Sequence, residues 1–312
     1  MPKRGKPRSG SLQYWPRKRA RRIYPRVHWP ASKELKPSGF AGWKAGMTYV
    51  QLVDSSGRLL TKPVTVLDAP PLLICGLRIY EKTDHGLKVV GEKWSKLPKS
   101  MERKAKAGKK EPQLDIEFHD IRLLVITQPE KSGMRKIKPD LFEIAIGGDD
   151  AKKKMEYANS MLGKELTAKD IFKPGEFVDV SAVTKGHGFT GPVKRFGIRV
   201  QTRKDQQMHR HAGSIGGTTP RHIDWRVPQS GQYGFFTRTE DNKKIIAMED
   251  DPNKVNPKGG FLGYGLVKSS ILIEGSVPGH RKRLIRLRRA VRSKKTLPIE
   301  LKSISLDSKQ GK

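Results

Sequence analysis

Residues 204–225, KDQQMHRHAGSIGGTTPRHIDW, put His209, His211 and His222 in a stretch with almost no aliphatic side chain to bury. Two imidazoles two residues apart share one face of an extended chain, and a third can complete a zinc-type ligand set. No cysteine is near, however, and the only carboxylates within reach are Asp205 and Asp224. The flanking Arg203, Lys204, Arg210, Arg221 and Arg226 would repel a divalent ion. The same histidines with Asp205 could be cast as the general acid and base of an RNA-cleaving hydrolase, yet the spacing supplies neither a nucleophile nor a pocket. A second pattern precedes them. After the strand-like FVDVSAVT, the segment KGHGFTGPV spells G-x-G-x-x-G through Gly186, Gly188 and Gly191, with His187 between the first two. That pattern lets a backbone approach a pyrophosphate at the start of a helix. Here Pro192 and VKRFGIRV lack a 3.6-residue period, and no acid is well placed about 20 residues on to hold a ribose. Nor does an H-R-D or D-F-G set accompany it as in a kinase. The better reading is close backbone approach to a nucleic-acid phosphate, with Lys185, Lys194 and Arg195 supplying charge.

The composition agrees. The 312 residues contain 64 Lys and Arg against 31 Asp and Glu, a formal +33 that repels itself unless a polyanion neutralises it. With 35% hydrophobic residues the chain can bury a modest core. It has no apolar run near the ~20 residues of a membrane span, so no membrane partner is expected. The one cysteine, Cys75, sits in PPLLICGLRIY without a disulfide partner and reads as an inert core residue of a protein in a reducing compartment. The basic N-terminus has no apolar signal region, which makes the cytoplasm the expected location. No cofactor is expected.

The charge is concentrated. Residues 1–30 hold ten Lys and Arg and no acid; residues 185–226 hold nine against two; residues 279–295, GHRKRLIRLRRAVRSKK, hold nine and none. Charge runs are usually solvated faces, but those mix signs, and these lack the acids to pair locally. In the first run Tyr14, Trp15, Tyr24 and Trp29 interleave with Arg17, Lys18, Arg19, Arg21, Arg22 and Arg26, while Pro16, Pro25 and Pro30 forbid a continuous helix. An extended arm follows, its rings free to stack on RNA or to anchor the arm to the protein's own core. In the third run the candidates are Arg281, Lys282, Arg283, Arg286, Arg288 and Arg289. In the second, Ala212, Gly213, Ser214, Gly216 and Gly217 are small enough for a narrow channel, so residues 204–225 read as a finger whose core RNA supplies.

The elements that must position these runs are mostly short β segments: AGMTYVQLVD, RLLTKPVTVLDAPPLLICGLRIY, LKVVGEKW and EFVDVSAVT, a hairpin in FFTRTEDNKKIIAMED, and an alternating strand in FLGYGLVKSSILIEGSV. They suit a β-barrel or a sandwich. Residues 94–173 differ, with a Lys-rich helical stretch KSMERKAKAGKK, strands IRLLVITQ and LFEIAIGG, and a helix in DDAKKKMEYANSMLG opened by acids and closed by Gly163. These read as an α/β insertion, and the final DSKQGK as a frayed end.

LQYWPRKRARR, FAGWKAGMT, VTVLDAPPL, IAIGG, VDVSAVTKGHGFTGPVKRFG, HRHAGSIGG, QSGQYGFFTRTE and GSVPGHRKRLIRLR, in this order from about residue 12 to 290, resemble large-subunit ribosomal protein number three of the archaeal and eukaryotic type. The resemblance implies a mainly β fold: a closed six-stranded translation-protein-type barrel (38–93 and 174–296) with an α/β subdomain inserted at 94–173. It also implies a basic arm (1–37), a central loop at about 195–230 that penetrates ribosomal RNA towards the peptidyl transferase centre, and a tail (297–312). The partners implied are large-subunit ribosomal RNA and neighbouring ribosomal proteins, without homo-oligomers. The function implied is structural, with an assembly factor or RNA chaperone as the alternative. His209 matches a family histidine that lies against RNA. The family's loop tip usually carries Trp, a short polar residue and Pro; the matching positions here are Thr218, Thr219 and Pro220, which leaves hydroxyl hydrogen bonding as the chemistry at the tip.

Overall fold

The computed structural model describes residues 9–53, 56–101, 119–219, 221–293, 296 and 298–308. The strands are β1 (Gly39–Val53), β2 (Leu59–Asp68), β3 (Leu72–Thr83), β4 (Gly86–Trp94), β5 (Asp120–Ile126), β6 (Leu141–Ala145), β7 (Glu165–Leu166), β8 (Phe177–Val183), β9 (Gly186–Thr190), β10 (Gly231–Gly234), β11 (Thr237–Glu249), β12 (Ser270–Glu274), β13 (Leu284–Arg289) and β14 (Glu300–Ile304). The helices are α1 (Ala151–Met161), α2 (Ala168–Ile171) and α3 (Pro192–Phe196). The chain divides into two compact units, residues 1–23 with 183–238, and residues 24–182 with 239–312.

In the larger unit β1 pairs with β2 and β13, and the pairings of β2 with β12, β12 with β11, β11 with β8 and β8 with β13 close a ring of six strands. The strand sequences explain the closure. In β1, residues 47–52 alternate exposed and buried, with Thr48, Val50 and Leu52 facing in. The earlier part of β1 is buried almost throughout, as is the second half of β2, which is the signature of strands covered on both faces. Phe40, Trp43, Val66, Leu67, Ile273 and Leu287 pack in one core with Leu72, Leu123 and Ile144 of the second sheet and Phe172 at the end of α2. That sheet runs β4-β3-β5-β6, with β7 paired to β3. β3 and β4, residues the sequence grouped with the barrel, are thus recruited by β5 and β6.

Three local expectations are corrected. FFTRTEDNKKIIAMED is no hairpin: β11 runs straight through it, because Asn242 takes φ 56° without reversing the chain and its N–H is held by the Asp179 carboxylate at 3.0 Å. FLGYGLV is a tight loop closed by the Phe261–Gly265 bridge with Gly263 and Gly265 at positive φ, and the strand begins only at Ser270. After the G-x-G-x-x-G there is a helix, α3, but of five residues, opened by Pro192 and ended by Gly197 in the left-handed region, too short for a period to register. The helix at Ala151–Met161 lies where the acids and Gly163 put it, capped by Asp150. The Lys-rich stretch lies beyond Met101 mostly outside the described residues, and part of the expected tail forms β14 against β1.

The larger unit holds two carboxylate-centred clusters, one buried and one half-buried. Asp68 on β2 accepts the Tyr264 hydroxyl at 2.6 Å and the Gly133 N–H at 3.0 Å, and burial pushes its carboxyl above the usual range. On the second sheet, Glu143 accepts from Tyr80 at 2.7 Å and pairs with Arg78 and Arg122. Burial opposes its ionisation, yet the hydrogen bond and the two guanidiniums hold its carboxyl below the ordinary value.

Candidate nucleic-acid interface

The smaller unit assembles the arm's first described residues with the G-x-G-x-x-G and the long loop. Ser11 caps a single 3-10 turn, Leu12–Tyr14, after which the prolines keep the chain extended. Ala20 donates its N–H to Phe235 O at 2.8 Å, and Arg17 reaches Arg195 O at 2.8 Å while its guanidinium lies 4.2 Å from the centre of the Phe196 ring. Trp15 packs against Phe196 and meets Trp225 edge-on, with ring centres 5.8 and 5.1 Å apart. Within this unit, then, Trp15, Arg17 and Arg195 anchor the chain to itself. Lys18, Arg19, Arg21 and Arg22 stay exposed, Arg19 above the Phe235 ring.

The glycines of KGHGFTG form the ribbon β9–β10, in which His187 stacks on Tyr233. Gly234 fixes the ribbon's end: its φ is +72°, and a Cβ there would sit 1.9 Å from Lys185 O. Beyond α3, residues 198–230 make few bonds of their own. Gln201 bonds His209 O, Asp205 bonds Thr202 O, the Gly213 N–H bonds His211 Nδ1 at 2.8 Å, and Asp224 caps the turn at Arg226 and Val227. His211 therefore serves a local turn. His209, Arg210, Gly213, Ser214, Gly216, Gly217, Thr218, Thr219, Arg221 and His222 are exposed. Lys185, Lys194, Arg203, Lys204, Arg210 and Arg221 form no ion pair among the described residues. Among those residues, too, no three of His, Cys, Asp and Glu come together as a metal set. Pro220 lies outside the described residues. In all, this unit has nineteen Lys and Arg against Asp205 and Asp224.

The third basic run, in the larger unit, is divided by β13. Arg281 and Lys282 are exposed. Arg283 and Arg286 are only 5% and 4% exposed. Arg286 donates to Pro25 O at 3.1 Å and to Glu143 O, and lies over the Phe142 and Trp29 rings; burial lowers its pKa to about 10. Arg288 pairs with the buried Asp179 at 2.9 Å and reaches His28 O, and Arg289 pairs with Glu34. Residues 24–37 of the arm thus find partners within the protein: Tyr24 bonds Leu141 O, Trp29 packs on the core, and Gly147 and Gly148 bond Lys36 O and Ser32 O. Arg26 remains exposed. Sequence reasoning missed this division because a run of like charge looks uniform. Its one signal was the apolar company of Arg286 in Leu284-Ile285-Arg286-Leu287, a stretch that is buried throughout. It also missed Trp225 and Arg238, the latter 4.6 Å from the Tyr14 ring centre.

A mainly β fold with a closed strand ring, exposed cationic segments poor in acids and, among the described residues, no His, Cys, Asp and Glu group fit for a metal, is the build of a strongly basic scaffold protein. The comparisons with known proteins give the family. The family model described as Ribosomal protein L3 matches residues 1–113 and 109–311. Large ribosomal subunit protein uL3 of Methanopyrus kandleri is 45% identical across 98% of this chain and 92% of its own length. Those of Methanococcus vannielii and Archaeoglobus fulgidus are 42% and 40% identical, over 99% and 98% of this chain and 99% of each relative. The chain belongs to the ribosomal protein L3 family, and these relatives are named as ribosomal proteins, not as enzymes.

Proposed function

We propose that the protein is a structural constituent of the large ribosomal subunit that binds large-subunit ribosomal RNA, aids its folding during assembly and supports the peptidyl transferase centre through the loop at about 195–230. The ring is read as a translation-protein-type barrel, the second sheet with its helices as the inserted α/β subdomain, and the arm and loop as the RNA-facing extensions. The observation that carries the reading is the loop itself: the described residues of 203–226 are almost wholly exposed and self-bonded at only a few points, and Arg203, Lys204, Arg210 and Arg221 form no ion pair among the described residues. A segment of this kind recovers its ordering entropy only against an external surface, and its charge selects phosphate. The contacting set is then Lys18, Arg19, Arg21, Arg22, Lys185, Lys194, Arg203, Lys204, His209, Arg210, Arg221, Arg281 and Lys282, with Gly213, Ser214, Gly216, Gly217, Thr218 and Thr219 at close approach. Neighbouring large-subunit proteins are the further partners, in the cytoplasm, with no cofactor.

A protein–RNA cross-linking map on intact large subunits tests this. Cross-links from residues 17–22 and 203–226 to ribosomal RNA, retained on translating subunits after a high-salt wash, are expected. Release of the protein by that wash would point instead to an assembly factor, and a loop without RNA cross-links would overturn the threading.

A further inference from the structure

Phe189, in β9, is 79% exposed, the barest aromatic ring among the described residues. It does not sit on a loose tip. It pairs with Gln232 across the ribbon, and Arg195 braces the opposite strand through Gln232 O at 3.1 Å and Gln229 O at 2.9 Å. Two residues earlier His187 is stacked on Tyr233 with centres 5.1 Å apart, which fixes the other end of the strand. The chain around the ring has been cleared of bulk. A Cβ on Gly188 would meet nothing within 4 Å, and the nearest atoms to one on Gly191 and Gly186 lie at 3.9 and 3.6 Å. A fixed phenyl ring flanked by glycines leaves a face open to a flat partner, whereas a loose apolar contact would need no such clearance.

Charge identifies that partner. From Lys185 to Gly197 the chain has Lys185, Lys194 and Arg195 and no acid, and Lys185 and Lys194 are exposed without an ion pair among the described residues. A ring in a cationic, acid-free setting suits a nucleobase whose phosphates lie on the flanking lysines. In a duplex the base faces are covered by their neighbours, so the ring takes an unpaired base. We infer that Phe189 is the stacking platform for one unpaired nucleotide of RNA, with Gly186, Gly188 and Gly191 there to clear its approach. This rests on the RNA-binding reading above.

The test uses the full chain and large-subunit ribosomal RNA transcribed in vitro. If the wild type fails to bind, the RNA-binding reading falls. If it binds and Phe189→Ala binds equally well, this inference alone falls. The expected result is a loss of about five- to a hundredfold for Phe189→Ala, a similar loss for Phe189→Leu, which keeps apolar bulk without a π-face, and near wild-type binding for Phe189→Tyr. Wild-type affinity in Phe189→Leu would overturn the stacking argument in favour of simple apolar contact. A single strand of about a dozen nucleotides carrying 2-aminopurine should be quenched by the wild type and Phe189→Tyr but not by the Ala or Leu variants; equal quenching by all four would also overturn it. Because the ring is exposed, all four proteins should melt together, which separates a binding loss from a folding loss.

Discussion

The exposed and the buried cations of this protein should respond oppositely to mutation. Arg203, Lys204, Arg210 and Arg221 are exposed and form no ion pair among the described residues, so changing all four to Gln removes charge without touching the fold. If each meets a phosphate, each contributes roughly 0.7 (single strand) to 0.9 (duplex) to the slope of log affinity against log salt. Four contacts make about 2.8 to 3.6 of slope, so over a fourfold rise in salt, from about 50 to 200 mM, the variant should escape about a 50- to 150-fold part of the wild-type loss. Arg286→Met is the counter-case. Its guanidinium is buried, bonded to Pro25 O and Glu143 O and covered by Phe142 and Trp29, so its loss leaves two carbonyls unpaired, at a cost of about 2–4 kcal/mol. It should lower the melting temperature and leave the salt slope unchanged. Titrating ribosomal RNA by fluorescence anisotropy at four salt concentrations, beside thermal melts, measures both. An unchanged slope in the quadruple variant, or a flattened slope with an unchanged melt in Arg286→Met, would refute the division.

The ribbon glycines should differ sharply: Gly234→Ala drives a Cβ into Lys185 O at positive φ and should destabilise the protein by about 3 kcal/mol or more, whereas Gly188→Ala meets open space and should cost only the ~1–2 kcal/mol of its φ of +67°, as read by denaturant unfolding. Gly217→Val meets only Thr219 O, at 3.6 Å, so the free protein should melt as the wild type does while the yield of large subunits on sucrose gradients falls; a normal yield would refute close approach of RNA at that point. Burial raises the Asp68 carboxyl, so the folded protein holds that proton more tightly than the unfolded chain does. The associated stability is full below about pH 4 and is lost as pH climbs through the raised value. Asp68→Asn removes this dependence, so its melting temperature relative to the wild type should rise with pH across that window; a difference that falls with pH would refute the assignment.

The sequence by itself determined the concentration of positive charge and the existence of the exposed segments. Nineteen cations against two acids in residues 1–23 and 183–238, with glycine in place of bulk, leave a chain few ways to satisfy itself, and no packing can hide that much like charge. It also determined the strands with strong alternation and the helix capped by Asp150, since these depend on residues a few positions apart. Tertiary structure decided what depends on distant residues. Whether Asn-Lys turns the chain or lets the strand run on was settled by Asp179, 63 residues away, holding the Asn242 N–H. Whether β3 and β4 join the ring or the second sheet was settled by the pairing of β3 with β5, with β4 held as the other neighbour of β3. Which arginines of 281–289 face out was settled by where the chain enters the core: Arg281 and Lys282 precede β13 and stay exposed, whereas Arg286, within the strand's buried stretch, is covered by Phe142, Trp29 and two carbonyls that lie far away in the chain and that no local pattern announces.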